Sequence, residues 1–154
     1  MGLGKQSKAL NKSQIQMVSN HLRNGRNGLR NQTIFLLSVK SGLRAKEISQ
    51  LSWKEVCNSD GQVDTQINLT NQTSKGNSGR VVQLHKSVCE NLIELLERHQ
   101  KFRAFNFSTS FVVRTERSPF TTSQMIINMF QKCYRNLGLI GCSSLTDVRT
   151  YVSK

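Results

Sequence analysis

The sequence predicts an α+β domain, mainly α, in which helices pack around a small antiparallel sheet of about three strands. Apolar residues recur at helical spacing in five stretches, and one central window alternates apolar and polar residues with period two. Gly/Asn/Ser clusters separate these stretches, with no internal repeat and no low-complexity tract.

The elements follow in order. Residues 1–10 read as a basic, flexible lead to a single domain over 11–154. Asn11 or Ser13 can cap a helix running to Arg23, with Ile15, Val18 and Leu22 on one face. Asn24–Gly28 is a loop. A second helix covers Leu29–Lys40 with Ile34, Phe35 and Leu37 as its stripe, and Ser41-Gly42 stops it. A short helix spans Arg44–Leu51, with Leu43, Ile48 and Leu51 facing inward. Gln62–Thr70 places Val63, Ile67 and Leu69 on one face of a strand; Ser74–Gly79 turns, and Arg80–Leu84 returns. His85–Phe102 is the clearest amphipathic helix: Val88, Leu92, Leu95 and Leu96 oppose Glu90, Glu94 and Glu97. Phe111–Arg114 reads as an edge strand. Thr121 or Thr122 caps a last helix to Leu137, with Met125, Ile126, Met129 and Phe130 buried and Tyr134 in the core.

A length of 154 residues suits one domain, which can bury a core without disulfides or a structural metal. Hydrophobic content of 36% with one Pro excludes a disordered chain. The longest apolar run, Thr33–Val39, falls far short of the roughly 18–20 residues of a membrane span, and the amino terminus lacks a secretory apolar stretch. Cys57, Cys89, Cys133 and Cys142 have no CxxC spacing and no histidine at zinc-ligand distance. They read as reduced core thiols, with no metal and no cofactor expected. The expected location is the cytoplasm, in association with the nucleoid.

The net charge of +13 is unevenly spread. Residues 1–46 hold nine Lys/Arg and no acid, 47–100 hold five bases against seven acids, and 101–154 hold eight against two. Two basic segments flanking an acidic middle fit a polyanion, and nucleic acid first. RNA recognition usually displays aromatics for base stacking; at 6%, most of them in core stripes, aromatics favour duplex DNA.

No phosphate-cradling glycine loop or Ser/His/Asp elbow is present. What remains are single bases in suggestive settings: Arg44 opening a helix, Lys75 at a hairpin tip, and Arg149 after a Gly/Ser loop. Each alone reads as a solvated surface charge. Together they form a pattern. Ser41-Gly42-Leu43-Arg44-Ala45-Lys46-Glu47-Ile48 with Leu51-Ser52-Trp53 resembles the first arginine box of the tyrosine recombinases, the phage integrase family. Thr73-Ser74-Lys75-Gly76 leading to Arg80-Val81-Val82-Gln83-Leu84 resembles that family's lysine hairpin, with Gln83 where Pro is common. The resemblance spans about residues 10–151 and implies that family's catalytic-core fold.

The resemblance implies catalytic roles for Arg44 and Arg149 as clamps on a scissile phosphate, and for Lys75 as the acid that protonates the departing 5′ oxygen. Paired guanidinium donors suit the charge that gathers on phosphate oxygens. Arg44, Lys46, Lys75 and Arg80 would contact double-stranded DNA; other recombinase subunits stand open as further partners. Glu47 either orients Arg44 or is a surface acid. Thr146-Asp147-Val148-Arg149 matches the family's second box with Thr146 in place of His. An alignment placing Arg149-Thr150-Tyr151 past that box, losing the arginine, stays open. No residue here occupies the place of the nucleophilic tyrosine, so cleavage by this chain alone is not expected. Nor does the sequence show the family's amino-terminal core-binding domain. A non-catalytic accessory that binds nucleic acid is the alternative reading.

Overall fold

Helix α2 (Gly28–Ser41) is the central element, because its apolar run Ile34-Phe35-Leu36-Leu37 with Val39 has to be covered on more than one side. In this computed structural model, which describes residues 10–69 and 80–139, Leu29 and every residue from Thr33 to Val39 are buried. Around α2 pack α1 (Lys12–Arg23), α3 (Ala45–Ser49) and α5 (Lys86–His99), while α6 (Ser123–Asn136) lies against α1 and α3. Each fully buried large apolar side chain contributes about 1.5–3 kcal/mol. The largest such groups, Trp53, Phe35 and Phe130, anchor the core, and Phe35 meets Phe130 edge-on with ring centres 6.1 Å apart.

Local chemistry sets the helix ends. Asn11 rather than Ser13 caps α1: its side chain accepts the Gln14 N–H at 2.8 Å, while Gln14 Oε1 accepts the Asn11 N–H at 3.0 Å. Ile15, Val18 and Leu22 point inward as expected, and Leu10 is buried with them; residues 1–9 of the lead lie outside the described residues. Between α1 and α2 the chain needs Gly28, since a Cβ there would collide with the Arg23 carbonyl. His85 begins α5 by accepting the Ser87 N–H on Nδ1 at 3.2 Å. Thr122, not Thr121, caps α6 through the Met125 N–H.

The sheet has two strands among the described residues. Strand β1 (Gln66–Leu69) pairs antiparallel with β2 (Arg80–Gln83) in the register Gln66↔Gln83 to Leu69↔Arg80. Ile67 and Leu69 face the core as expected. The strand begins later than Gln62 because Asp64 interrupts it: its N–H turns to Val56 O, and its carboxylate takes the Thr65 N–H at 2.7 Å; Thr70 lies outside the described residues. Val63 makes only an isolated bridge to Cys57.

Three further expectations are corrected. The edge strand at 111–114 does not form. Phe111 bridges singly to Ser52, flanked by Val112 N–H to Leu51 O at 2.8 Å and Trp53 N–H to Ser110 O at 3.1 Å. Its partner is the short link between two helices, which cannot extend a ladder. The helix expected over Arg44–Leu51 stops at Ser49, and a four-residue helix, α4 (Trp53–Val56), follows. On α6 the buried stripe is Ile126, Phe130, Cys133 and Tyr134; Met125 is half exposed because it lies at the edge of that stripe.

Cys57 and Cys133 are buried free thiols and Cys89 is partly buried. Burial pushes Cys57 and Cys133 up to about 11, so they stay protonated and inert. Cys142 lies outside the described residues. Among the described residues no helix is long and apolar enough to cross a membrane.

Candidate functional site

The site is built where α2 ends. Gly42 adopts the left-handed conformation (φ 73°, ψ 21°) that a side chain resists. Its N–H reaches Ser38 O at 3.1 Å, and the next N–H, on Leu43, reaches back to Leu37 O at 3.2 Å. This reversal buries Leu43 and delivers Arg44 in extended conformation (φ −83°, ψ 160°) as the residue that opens α3. Arg44 and Lys46 are exposed, while Ala45, Glu47 and Ile48 between and beyond them are buried. The two bases thus project from a rigid turn.

Glu47 is neither a surface acid nor a partner of the Arg44 guanidinium. It is 4% exposed, and its Oε1 accepts the backbone N–H of Arg44 at 2.9 Å. The same oxygen accepts Arg80 Nη2 from strand β2 at 2.7 Å. One buried carboxylate therefore joins the start of α3 to the first residue of β2. A buried acid without such partners would be costly; here a charge-assisted bond offsets its desolvation. Arg80 keeps a side-chain exposure of 46%, so the ion pair is partly open to solvent.

The structure thus brings the Arg44 backbone and the Arg80 guanidinium together at the Glu47 carboxylate, with Lys46 exposed beside them in sequence. Lys75 falls in the 70–79 connection between the two paired strands, outside the described residues, as do Thr146 and Arg149. The role of Glu47 was only half legible. A glutamate three residues after the cap is a known capping signal, but its link to Arg80 crosses 33 positions and leaves no local sequence signal.

Chemically, exposed guanidinium and ammonium groups on a fixed backbone can receive the oxygens of a phosphodiester, the guanidinium through paired N–H donors. Their backbone anchors are in place before any ligand arrives. Such preorganisation is what electrostatic stabilisation of a phosphate demands.

Comparison with solved structures places the fold. The chain superposes on XerA recombinase with a TM-score of 0.74 at 16% identity, covering 95% of this chain and 49% of that one. It superposes on the XerH site-specific recombinase bound to its difH substrate with a TM-score of 0.68 at 17% identity, covering 96% and 41%. For the Tn1549 transposon integrase in complex with circular intermediate DNA the TM-score is 0.69 at 12% identity, with 93% and 52% covered. The chain thus spans about half the length of these proteins, and shares with them the fold of the tyrosine recombinase catalytic core. Comparison with curated proteins by sequence gives no match. The sequence model of the phage integrase family, however, matches residues 8–147, and the chain belongs to that family.

Proposed function

We propose that this chain binds duplex DNA as the catalytic-core portion of a tyrosine site-specific recombinase and takes part in DNA recombination or integration. The observation that carries this reading is the Glu47 tie. It holds the backbone of Arg44 and the guanidinium of Arg80, the first residue of β2, on one carboxylate, so that two residues distant in sequence are fixed at one place. Three of the solved structures it resembles are recombinases or integrases held with DNA, and the net charge of +13 suits a polyanionic partner.

In this reading Arg44 clamps a non-bridging oxygen of the scissile phosphate and Arg149 the second. Lys75 protonates the departing 5′ oxygen. Lys46 and Arg80 grip neighbouring phosphates, and other recombinase subunits complete the assembly. No residue of this sequence is assigned as nucleophile. The protein acts in the cytoplasm, on the nucleoid.

The test is fluorescence anisotropy of labelled duplex DNA, single-stranded DNA and an RNA hairpin across a salt series. Duplex DNA is expected to bind tightest. Arg44→Ala is expected to weaken it and to lower the slope of log affinity against log salt by about one. An unchanged slope removes Arg44 from the phosphate backbone, and a preference for the hairpin overturns the DNA assignment.

A further inference from the structure

A second cationic site lies at the far end of α2. Arg44 follows the carboxyl end of this 14-residue helix, whereas Arg30 sits in its first turn, about 20 Å away along the axis. There the first turn of α2, the carboxyl end of α5 and the 102–116 segment flank a half-open cavity of about 230 Å³. Arg30, Arg98, Arg114, His99, Phe102 and Glu116 line it. Its volume has room for a phosphate-sized group.

The cavity's lining holds three guanidinium groups against one carboxylate. Arg30 is partly buried, yet its donors reach only neutral acceptors: Asn31 Oδ1 at 2.9 Å and the Arg114 carbonyl at 3.0 Å. Arg114 lies over the Phe102 ring at 4.4 Å and has no carboxylate partner among the described residues. Arg98 is held by Glu94 at 3.2 Å. The one acid of the lining, Glu116, is bonded to Arg26 at 2.7 Å and Asn27 at 2.9 Å, and its charge also acts on Arg30 without a hydrogen bond between them.

His99 adds a donor. It is 5% exposed, and its Nδ1 accepts the Trp53 indole N–H at 3.1 Å. An indole nitrogen only donates, so the proton of the neutral imidazole is on Nε2, which has no acceptor among the described residues. Asn27 also lines the cavity, at the head of α2, and makes no side-chain cap. The first-turn N–H groups therefore lend their partial positive charge to the same end of the molecule.

We infer that this cavity is a binding site for a single phosphate-sized oxyanion, held by Arg30 and Arg114 with Arg98 at the rim and His99 Nε2–H as a neutral donor. The site does not depend on the DNA-binding reading of the Arg44 face. Its ligand is either a free phosphate group or a phosphate of bound DNA, and one experiment separates the two.

Trp53 is the only tryptophan of the chain and touches His99, so its fluorescence reports on the cavity. Inorganic phosphate is titrated into the full chain at constant ionic strength, with chloride as the control, while fluorescence and the thermal unfolding midpoint are followed. A saturable, phosphate-specific change is expected. Arg114→Gln should weaken it by about tenfold, as for loss of one charge-assisted contact. Arg98→Ala, at an exposed side chain that the fold does not need, should weaken it less, and Arg44→Ala should leave it unchanged. Absence of a saturable response overturns the proposal, as does an equal loss in Arg44→Ala. Duplex DNA added to the phosphate-loaded chain then identifies the source. Release of radiolabelled phosphate from the chain on equilibrium dialysis assigns the site to the DNA backbone; retention of the labelled phosphate assigns it to a diffusible ligand.

Discussion

At the start of α3 and at the start of α4, a buried glutamate in the third helical position accepts the backbone N–H of the residue before the helix, at 2.9 Å in each case. The two helix starts differ in what else they hold. At α4 the cap residue is Ser52, whose hydroxyl also donates to Glu55 at 3.1 Å, and Trp53 sends its indole N–H into the core to His99. At α3 the cap residue is Arg44, whose side chain faces solvent, and Glu47 takes its second bond from Arg80 on a strand. The same local device thus serves packing in one place and presentation of charge in the other. Because backbone and not side chain is held at α3, the position before the helix is free to carry an arginine.

If α4 is pinned through a neutral imidazole, acid should loosen it. Burial, and then the Arg114 charge, hold His99 down at about 4, below the ordinary 6.5. Between these values the unfolded chain binds the proton and the folded chain does not. The stabilisation from this group is therefore complete above about pH 6.5 and is lost as pH falls toward 4, with no further loss below. The change amounts to about 3 kcal/mol. Urea midpoints across this range should show the slope, and His99→Gln should remove that part of it. A slope identical in both proteins would refute the assignment.

The α3 start should instead answer to charge removal. Glu47→Ala orphans the Arg44 N–H and releases Arg80, and is expected to cost about 2 kcal/mol. Glu47→Gln keeps an acceptor for the backbone and should recover part of it. Because Arg80 is nearly half exposed, the Glu47–Arg80 coupling in a double-mutant cycle should reach only about 1 kcal/mol and shrink with salt. Coupling that is zero at low salt would mean that the strand is positioned by Ile67 and Leu69 alone.

The α4 cap is the smaller test. Ser52→Ala removes one hydroxyl donor while leaving the Ser52 N–H on Glu55, so about 0.5–1 kcal/mol is expected from denaturant unfolding. A cost as large as that of Glu47→Ala would erase the distinction between the two helix starts.

What the sequence revealed divides along the same line. The long helices were legible because Ile15, Val18 and Leu22, or Val88, Leu92 and Leu95, repeat over several turns, and Gly42 marks the stop. Helix α4 was not, since four residues show no period; only the Ser52-x-x-Glu55 cap signals it. Val112 and Val113 suggested a strand, but both are buried, and consecutive burial without alternation marks a core-filling segment rather than a two-faced strand. On α6, Met125 is as apolar as Cys133, and only packing against α1 and α3 decides which is covered. Arg44 was found through its neighbours in sequence. Its support was not, because Arg80 arrives from a distant strand. Lys75, Thr146 and Arg149 remain proposals that rest on the family resemblance.

The smallest effect on stability belongs to the residue of greatest functional interest. The Arg44 side chain is exposed and its backbone N–H, not its guanidinium, makes the cap bond to Glu47. Arg44→Ala should therefore change the unfolding free energy by no more than about 0.5 kcal/mol, while weakening duplex DNA through the loss of a phosphate contact. Stability comes from thermal or urea unfolding, and affinity from anisotropy on the same preparation. Arg44 makes no side-chain cap hydrogen bond, so alanine loses none there. A loss of both together would place the guanidinium among the structural contacts of α3, whereas a loss of affinity alone means that the turn exists to display it.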